Sequence, residues 1–206
     1  MVGGAANRAS GDSSTVSGGA GNDASGEGSS ISGGTSNKAS GRRASVSGGF
    51  FNIASAFSAS VSGGVYNEAN GNSASVSGGA RNDASGYASS ILGGGNSFYS
   101  SGHGNEAFAD YSAIVGGRRN LSGDPDKVDH TKGEYATISG GNANTASGTN
   151  ASVSGGKSNL ASGTNASVSG GEGNTASSLE ATVSGGRNRS AVGDNVWVAG
   201  TLYEYN

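Results

Sequence analysis

Residues 44–55 read ASVSGGFFNIAS, and the phrase returns at Ala59 as ASVSGGVYNEAN, at Ala74 as ASVSGGARNDAS and at Ala151 as ASVSGGKSNLAS. A period of this kind is read before any local signal, because it defines the architecture. The aliphatic residue before Ser-Gly-Gly falls at Val16, Ile31, Val46, Val61, Val76 and Ile91, fifteen residues apart each time. It resumes at Ile114 and Ile138 and continues at Val153, Val168 and Val183; Val198 keeps the phase, and Met1 fits the same slot. The two long steps, of 23 and 24 residues, are one repeat plus an insertion of eight or nine. Six residues after an anchor stands an asparagine: Asn7, Asn22, Asn37, Asn52, Asn67, Asn82, Asn120, Asn144, Asn159 and Asn174, while Asn105 keeps its distance to the following anchor. Alanine follows the asparagine two residues on, as at Ala39, Ala54 and Ala69.

Fifteen residues are too few for two helices and their turns but enough for two short strands and two turns, since a strand rises about 3.3 Å per residue. Around the anchor the pattern alternates, with Ala44, Val46 and Gly48 on one side and Ser45 and Ser47 on the other. Asn52 and Ala54 alternate with Ile53 and Ser55 in the same way. Glycines at the corners are expected to supply positive φ and close backbone approach. Each repeat therefore predicts one coil of an all-β, parallel β-solenoid, with Val on Val, Asn on Asn and Ala on Ala. About thirteen coils spaced about 4.8 Å apart give a rod on the order of 60 Å long. A buried asparagine needs partners, and an identical asparagine one coil away is the expected one.

This architecture reconciles the periodicity with an unusual composition. The 206-residue chain has 41 glycines, and only 32% of its residues are hydrophobic, against about 45–50% in ordinary globular domains. Such a composition without order reads as a linker or a disordered chain; a thin solenoid core explains it instead. There is no cysteine, so disulfides, thiolate metal sites and cysteine nucleophiles are excluded. The net charge of −3 and the lack of a basic stripe argue against nucleic acid as a partner. No apolar run approaches the roughly 20 residues of a membrane helix. The opening MVGGAANRAS has neither a basic n-region nor an apolar h-region. The expectation is a mature or excised piece of something longer, or a chain exported by another route.

The repeat ASVSGGxxNxASG resembles the left-handed parallel β-roll repeats in the heads of YadA-like trimeric autotransporter adhesins. That family's repeat has an S-V-A-I-G strand, a short turn and A-x-A-S-G; Ser45-Val46 matches the first part, and Ala39–Gly41 and Ala161–Gly163 match the last. The departures are the fifteen-residue period, a second glycine in place of the isoleucine and asparagine in a usual alanine slot. The Gly-Gly-x-x-Asn form looks like a variant found in some heads of the superfamily. The resemblance covers the chain apart from the insertions and the last few residues. It implies a left-handed roll, a homotrimer about a common axis, display at a bacterial cell surface, and adhesion to host matrix or cell-surface receptors. The family's coiled-coil stalk and membrane-anchoring barrel have no counterpart in these residues, so the expectation is a head fragment or a related fibre.

Departures from the repeat are where specificity is expected, because loops on a rigid scaffold carry most binding. The insertions are read at 95–104 and 121–135, with a C-terminal cap or transition at 192–206, all within one repeat domain. Both histidines, His103 and His130, fall in the insertions, and so does the only proline, Pro125. All five phenylalanines lie between residues 50 and 111. Phe50, Phe51 and Tyr66 follow the Gly-Gly corner, and Phe57 and Tyr87 follow the other. With Phe98 and Tyr99 they are candidates for an exposed contact patch; the alternative is packing under the first insertion or against another chain. Asp124, Asp126, Asp129 and His130 share one loop, but neither an EF-hand spacing nor an RTX nonapeptide is present, and a solvated charged loop is the expectation. No cofactor, metal or catalytic constellation is read, since a nucleophile needs a positioned base and an orienting group. The chain is expected to be structural or adhesive rather than enzymatic. The alternatives are a self-assembling filament or phage-fibre subunit and an ice-binding solenoid, the last lacking the threonine array.

Overall fold

The computed structural model of the chain describes residues 3–96 and 104–199. These residues form two parallel sheets of 12 strands each, and successive strands of the chain alternate between the sheets. In one sheet Ser45–Val46 pairs with Ser60–Val61, and in the other Ile53–Ala54 pairs with Glu68–Ala69. Every pairing is parallel and joins equivalent repeat positions, so each repeat is one coil of a solenoid. The described residues close twelve coils; the expected thirteenth rests on Met1, which lies outside them. No helix of the described residues is long and apolar enough to cross a membrane.

The core is a set of single-residue columns. Val16, Ile31, Val46, Val61, Val76, Ile91, Ile114, Ile138, Val153, Val168 and Val183 are all buried, as are the alanines at Ala39, Ala54, Ala69 and their equivalents. Ala44, Ala59 and Ala74 close the core at the second corner. Each valine contributes about 1.5–3 kcal/mol by leaving water, so no coil is stable alone and neighbours must stack.

The asparagine column does what the apolar columns cannot. Asn52 Nδ2 donates to the Gly48 carbonyl of its own coil at 2.9 Å and to the Gly64 carbonyl of the next coil at 2.9 Å. Its Oδ1 accepts the backbone N–H of Asn67 at 3.0 Å. The expected side-chain ladder is thus corrected: the carboxamides bind glycine carbonyls and the next asparagine's backbone, not one another. Both long steps are spliced into this ladder without a break. Asn105 donates from Nδ2 to Gly93 and Gly117, its amide reaches Asn82, and the amide of Asn144 reaches Asn120.

The two glycines of the corner have different reasons to be there. Gly49 has φ +90, and a Cβ on it would collide with the Gly64 carbonyl and Asn52 Nδ2. Gly48, expected on the inner side, instead points a would-be Cβ into open space. At the other corner, positive φ does not depend on glycine: Gly28 (φ 63) has it, but so do its equivalents Arg43 (φ 57) and Ser58 (φ 53). That conformation costs roughly 1–2 kcal/mol per residue. It lets the Arg43 amide donate to Glu27 O at 2.8 Å and the Ser58 amide to Arg42 O at 2.9 Å.

The excursions are narrower than the sequence reading placed them. Gly95 still bridges Ala80, and Gly104 returns beside it, its amide bonded to Arg81 O. Leu121–Ser122 is a regular strand paired with Glu106–Ala107 and Thr145–Ala146. The second excursion therefore leaves after Gly123 and rejoins at Gly133, which lies against it; Glu134 and Tyr135 are coil residues. Residues 192–199 also belong to a coil, since Trp197–Val198 pairs with Thr182–Val183. Replacing Gly64 by alanine should lower stability by more than about 3 kcal/mol, the upper end of ordinary point-mutant effects, read as a shift in the urea midpoint.

Candidate functional site

Phe50 pairs as a bridge with Thr35 and Val65, and the residue after it turns into the left-handed region at Phe51 and Tyr66. Side chains at one repeat position therefore project from successive coils in the same direction, one coil spacing apart. Phe51 and Tyr66 stack with ring centroids 5.2 Å apart and planes 8° from parallel. Phe50 meets Phe51 edge-on at 4.5 Å, and the Arg81 guanidinium sits 5.0 Å from the Tyr66 centroid. Such pairs contribute about 0.5–1.5 kcal/mol each. Phe50 and Tyr66 are half-buried by packing on their neighbours, an arrangement neither reading of these aromatics named, while Phe51 remains 41% exposed.

The second corner carries Phe57, with the Arg43 guanidinium 6.0 Å from its ring, and a run of tyrosines. Tyr87 lies edge-on to Tyr111 at 5.3 Å, and Tyr111 stacks on Tyr135 at 5.1 Å. Three consecutive coils thus share one aromatic ridge. The Glu134 carboxylate beside Tyr135 holds its phenol above the ordinary range. Phe98, Tyr99 and His103 lie outside the described residues.

The second excursion folds back over the preceding coil. His130 stacks on Phe108 at 4.0 Å, and its Nδ1 lies 2.6 Å from the Phe108 carbonyl, a contact that needs the proton on Nδ1. The Asp110 amide donates to His130 O at 2.8 Å, and Lys127 pairs with Glu106. Asp124 is buried at the base of the loop, where Lys132 Nζ donates to it at 2.7 Å and the amides of Asp126 and Val128 at 3.3 Å. The Lys132 hydrogen bond holds the Asp124 carboxyl below its usual range against the opposing effect of burial, and the same bond raises Lys132. Asp129 is lowered by the hydroxyl and amide of Thr131. Of the loop candidates, Asp124 is bonded to Lys132, His130 to the Phe108 carbonyl, and Asp126 is exposed. Among the described residues, no group of three or more potential metal ligands is assembled.

The two outer sheet faces differ. One carries Arg8, Asp23, Lys38, Glu68, Asp83 and Glu106 along a single row. The other presents Ser45 and Ser47 and their equivalents in every coil, and none of the chain's charged residues falls on those two rows. In the middle of that serine face stand Leu92 and Val115, 55% and 51% exposed. Beside it runs the first glycine of each pair, from Gly18 through Gly185, with open space where a Cβ would go.

The sequence reading passed over Tyr135, Lys132 and Arg81 as contributors and did not pair Tyr111 with Tyr135. The signal for that pair was present: the step of 24 residues is one coil, which puts both tyrosines at one repeat position. No protein-family model matches this chain, and no curated protein is significantly similar to it.

Because Asp124's folded pKa lies below its unfolded value, its contribution is present above the unfolded pKa and lost as pH falls through the folded one. Acidification below about pH 3.9, the ordinary aspartate value, should release the loop while the coils persist. Amide exchange at Asp126 and Val128, compared with that at Val46 and Val61, reads this directly.

Proposed function

We propose that the chain is a structural and adhesive segment of an extracellular head or fibre, assembled by packing its serine faces together. The observation that carries this reading is the uncharged face. Glycine costs roughly 0.5–1 kcal/mol relative to alanine within regular structure, yet Gly18, Gly33, Gly48, Gly63 and Gly78 occupy positions where a side chain would meet nothing and where φ is outside the left-handed region. Serine, glycine and the absence of charge together allow close approach of a second backbone. A partner solenoid of the same coil spacing is the surface that stays in step with it along the rod.

This arrangement agrees with the resemblance to YadA-like trimeric adhesin heads, and a homotrimer at a bacterial surface is the assembly we propose. On this reading the chain has no enzymatic role and no cofactor. The charged face and the aromatic corners at Phe51, Phe57 and Tyr87 remain outward, available to host matrix or a cell-surface receptor.

Light scattering after size exclusion should give about three times the 19.7 kDa chain mass. Ser62→Glu and Leu92→Glu, each adding charge to the serine face, should return the protein to monomer with its β circular dichroism retained. A native chain that runs as a monomer overturns the proposal and directs attention to ice binding. Large polydisperse species would replace it with end-to-end filament growth.

A further inference from the structure

Tyr111 and Tyr135 sit at the same corner position of consecutive coils, with φ of 55° and 61°. Their backbones are fixed by the coil itself: Tyr111 N donates to Tyr87 O at 2.7 Å, and Tyr135 N to Asp110 O at 3.1 Å. Their rings stack at 5.1 Å with planes 13° apart, yet the two residues are 44% and 49% exposed. The pair is thus both held together and open to a reagent. Tyr66, by contrast, stacks on Phe51 and carries the Arg81 guanidinium, with no described tyrosine against it.

We propose that Tyr111 and Tyr135 are a site of oxidative cross-linking, joined as dityrosine by a peroxide-driven one-electron oxidant. Each phenol loses one electron and one proton and becomes a phenoxyl radical. The two radicals couple through the ring carbons ortho to oxygen, forming one C–C bond. The two ortho hydrogens then move to the oxygens as aromaticity returns. One hydrogen peroxide takes up the two electrons and two protons and leaves as two waters. The product is the chain lighter by two hydrogen atoms.

The position gives the bond a purpose. Tyr111 and Tyr135 flank the second excursion, the longer of the two insertions in the repeat, and exposed loops are open to proteolysis. Lys127 and Lys132 lie between the two tyrosines. A cross-link would keep the two halves of the rod covalently joined after a cut in that loop. The chain has no cysteine, so no disulfide can do this. The inference holds whether the chain is a monomer or a trimer.

The test treats the full chain with a haem peroxidase and hydrogen peroxide, then nicks it briefly with trypsin. The expected result is blue dityrosine fluorescence and a linked peptide containing Tyr111 and Tyr135. Chains cut at Lys127 or Lys132 should still migrate as one on a denaturing gel. Tyr135→Phe, which keeps the ring stack, should remove the linked peptide and separate the nicked halves; Tyr66→Phe should change neither. Dityrosine that maps only to other tyrosines, or only between chains, overturns the proposal. Peptide mapping of the unsubstituted chain decides this even if a variant fails to fold.

Discussion

The asparagine carboxamide bonded to two glycine carbonyls is the contact on which the coil depends. Asn52 Nδ2 fastens the corner of its own coil through Gly48 and the corner of the next through Gly64, while Oδ1 takes the next asparagine's amide. Two donors and an acceptor are needed at one buried point. Aspartate offers no donor when ionised and would set a charge against two carbonyls. Burying such a group without partners would be costly, but here every coil hands the partners to the next. The Gly49 backbone must lie close for this, which is why its Cβ is forbidden. The ladder closes at Arg189, whose amide still reaches Asn174 Oδ1 at 2.9 Å but whose side chain has no carboxamide to pass it on.

Because this device works between neighbours, the chain tolerates interruption. Neither excursion displaces a column: the strands on either side of each pair directly with one another, Asp83–Ala84 with Glu106–Ala107 and Ala113–Ile114 with Thr137–Ile138. The second excursion is fastened to the coil before it by the His130 stack and the Lys127 pair, while its own base is closed by Asp124 and Lys132. Exposed pairs such as Lys157–Glu172 and Arg187–Glu172 follow the same between-coil logic along the first corner. Each contributes little singly, as exposed ion pairs do.

Parallel, in-register stacking turns each repeat position into a column, and this is why so much of the fold is legible in the sequence. Val46, Ala54 and Asn52 recur because each must match the residue above and below. The rest was hidden for physical reasons. A glycine is chosen for its φ, for a close backbone or for an empty surface, and sequence does not distinguish Gly48 from Gly49. Leu121-Ser122 does not spell the usual x-Ala of its position, so the strand was absorbed into the loop beside it. Positive φ at Arg43 and Ser58 is dictated by hydrogen bonds to neighbouring coils, which no local propensity reveals. Whether Phe51 and Tyr66 face a partner or each other depends on a turn geometry seen only in three dimensions.

The columns also separate what this fold requires from what it merely contains. The columns of Val46, Asn52, Ala54 and Gly49 are nearly uniform, broken only by Val–Ile exchange, Ser122 and Arg189 among the described residues, and burial or collision within the chain accounts for each. The corner residues after Gly49 and at Phe57 vary freely, as positions facing water should. Ser45, Ser47 and Gly48 fit neither class: they are exposed or half-exposed, yet nearly as uniform as the core. A row facing only water has no reason to exclude lysine and glutamate along its whole length, particularly when the opposite sheet face accepts them. Uniformity without a burial or collision to account for it is what supports the proposal that these residues meet an external surface repeating at the same interval as the coils. The coils that break the rule, with Leu92, with Ala113 and Val115, and with Trp197 and Ala199, do so toward apolar or aromatic residues and not toward charge, which is the direction burial favours.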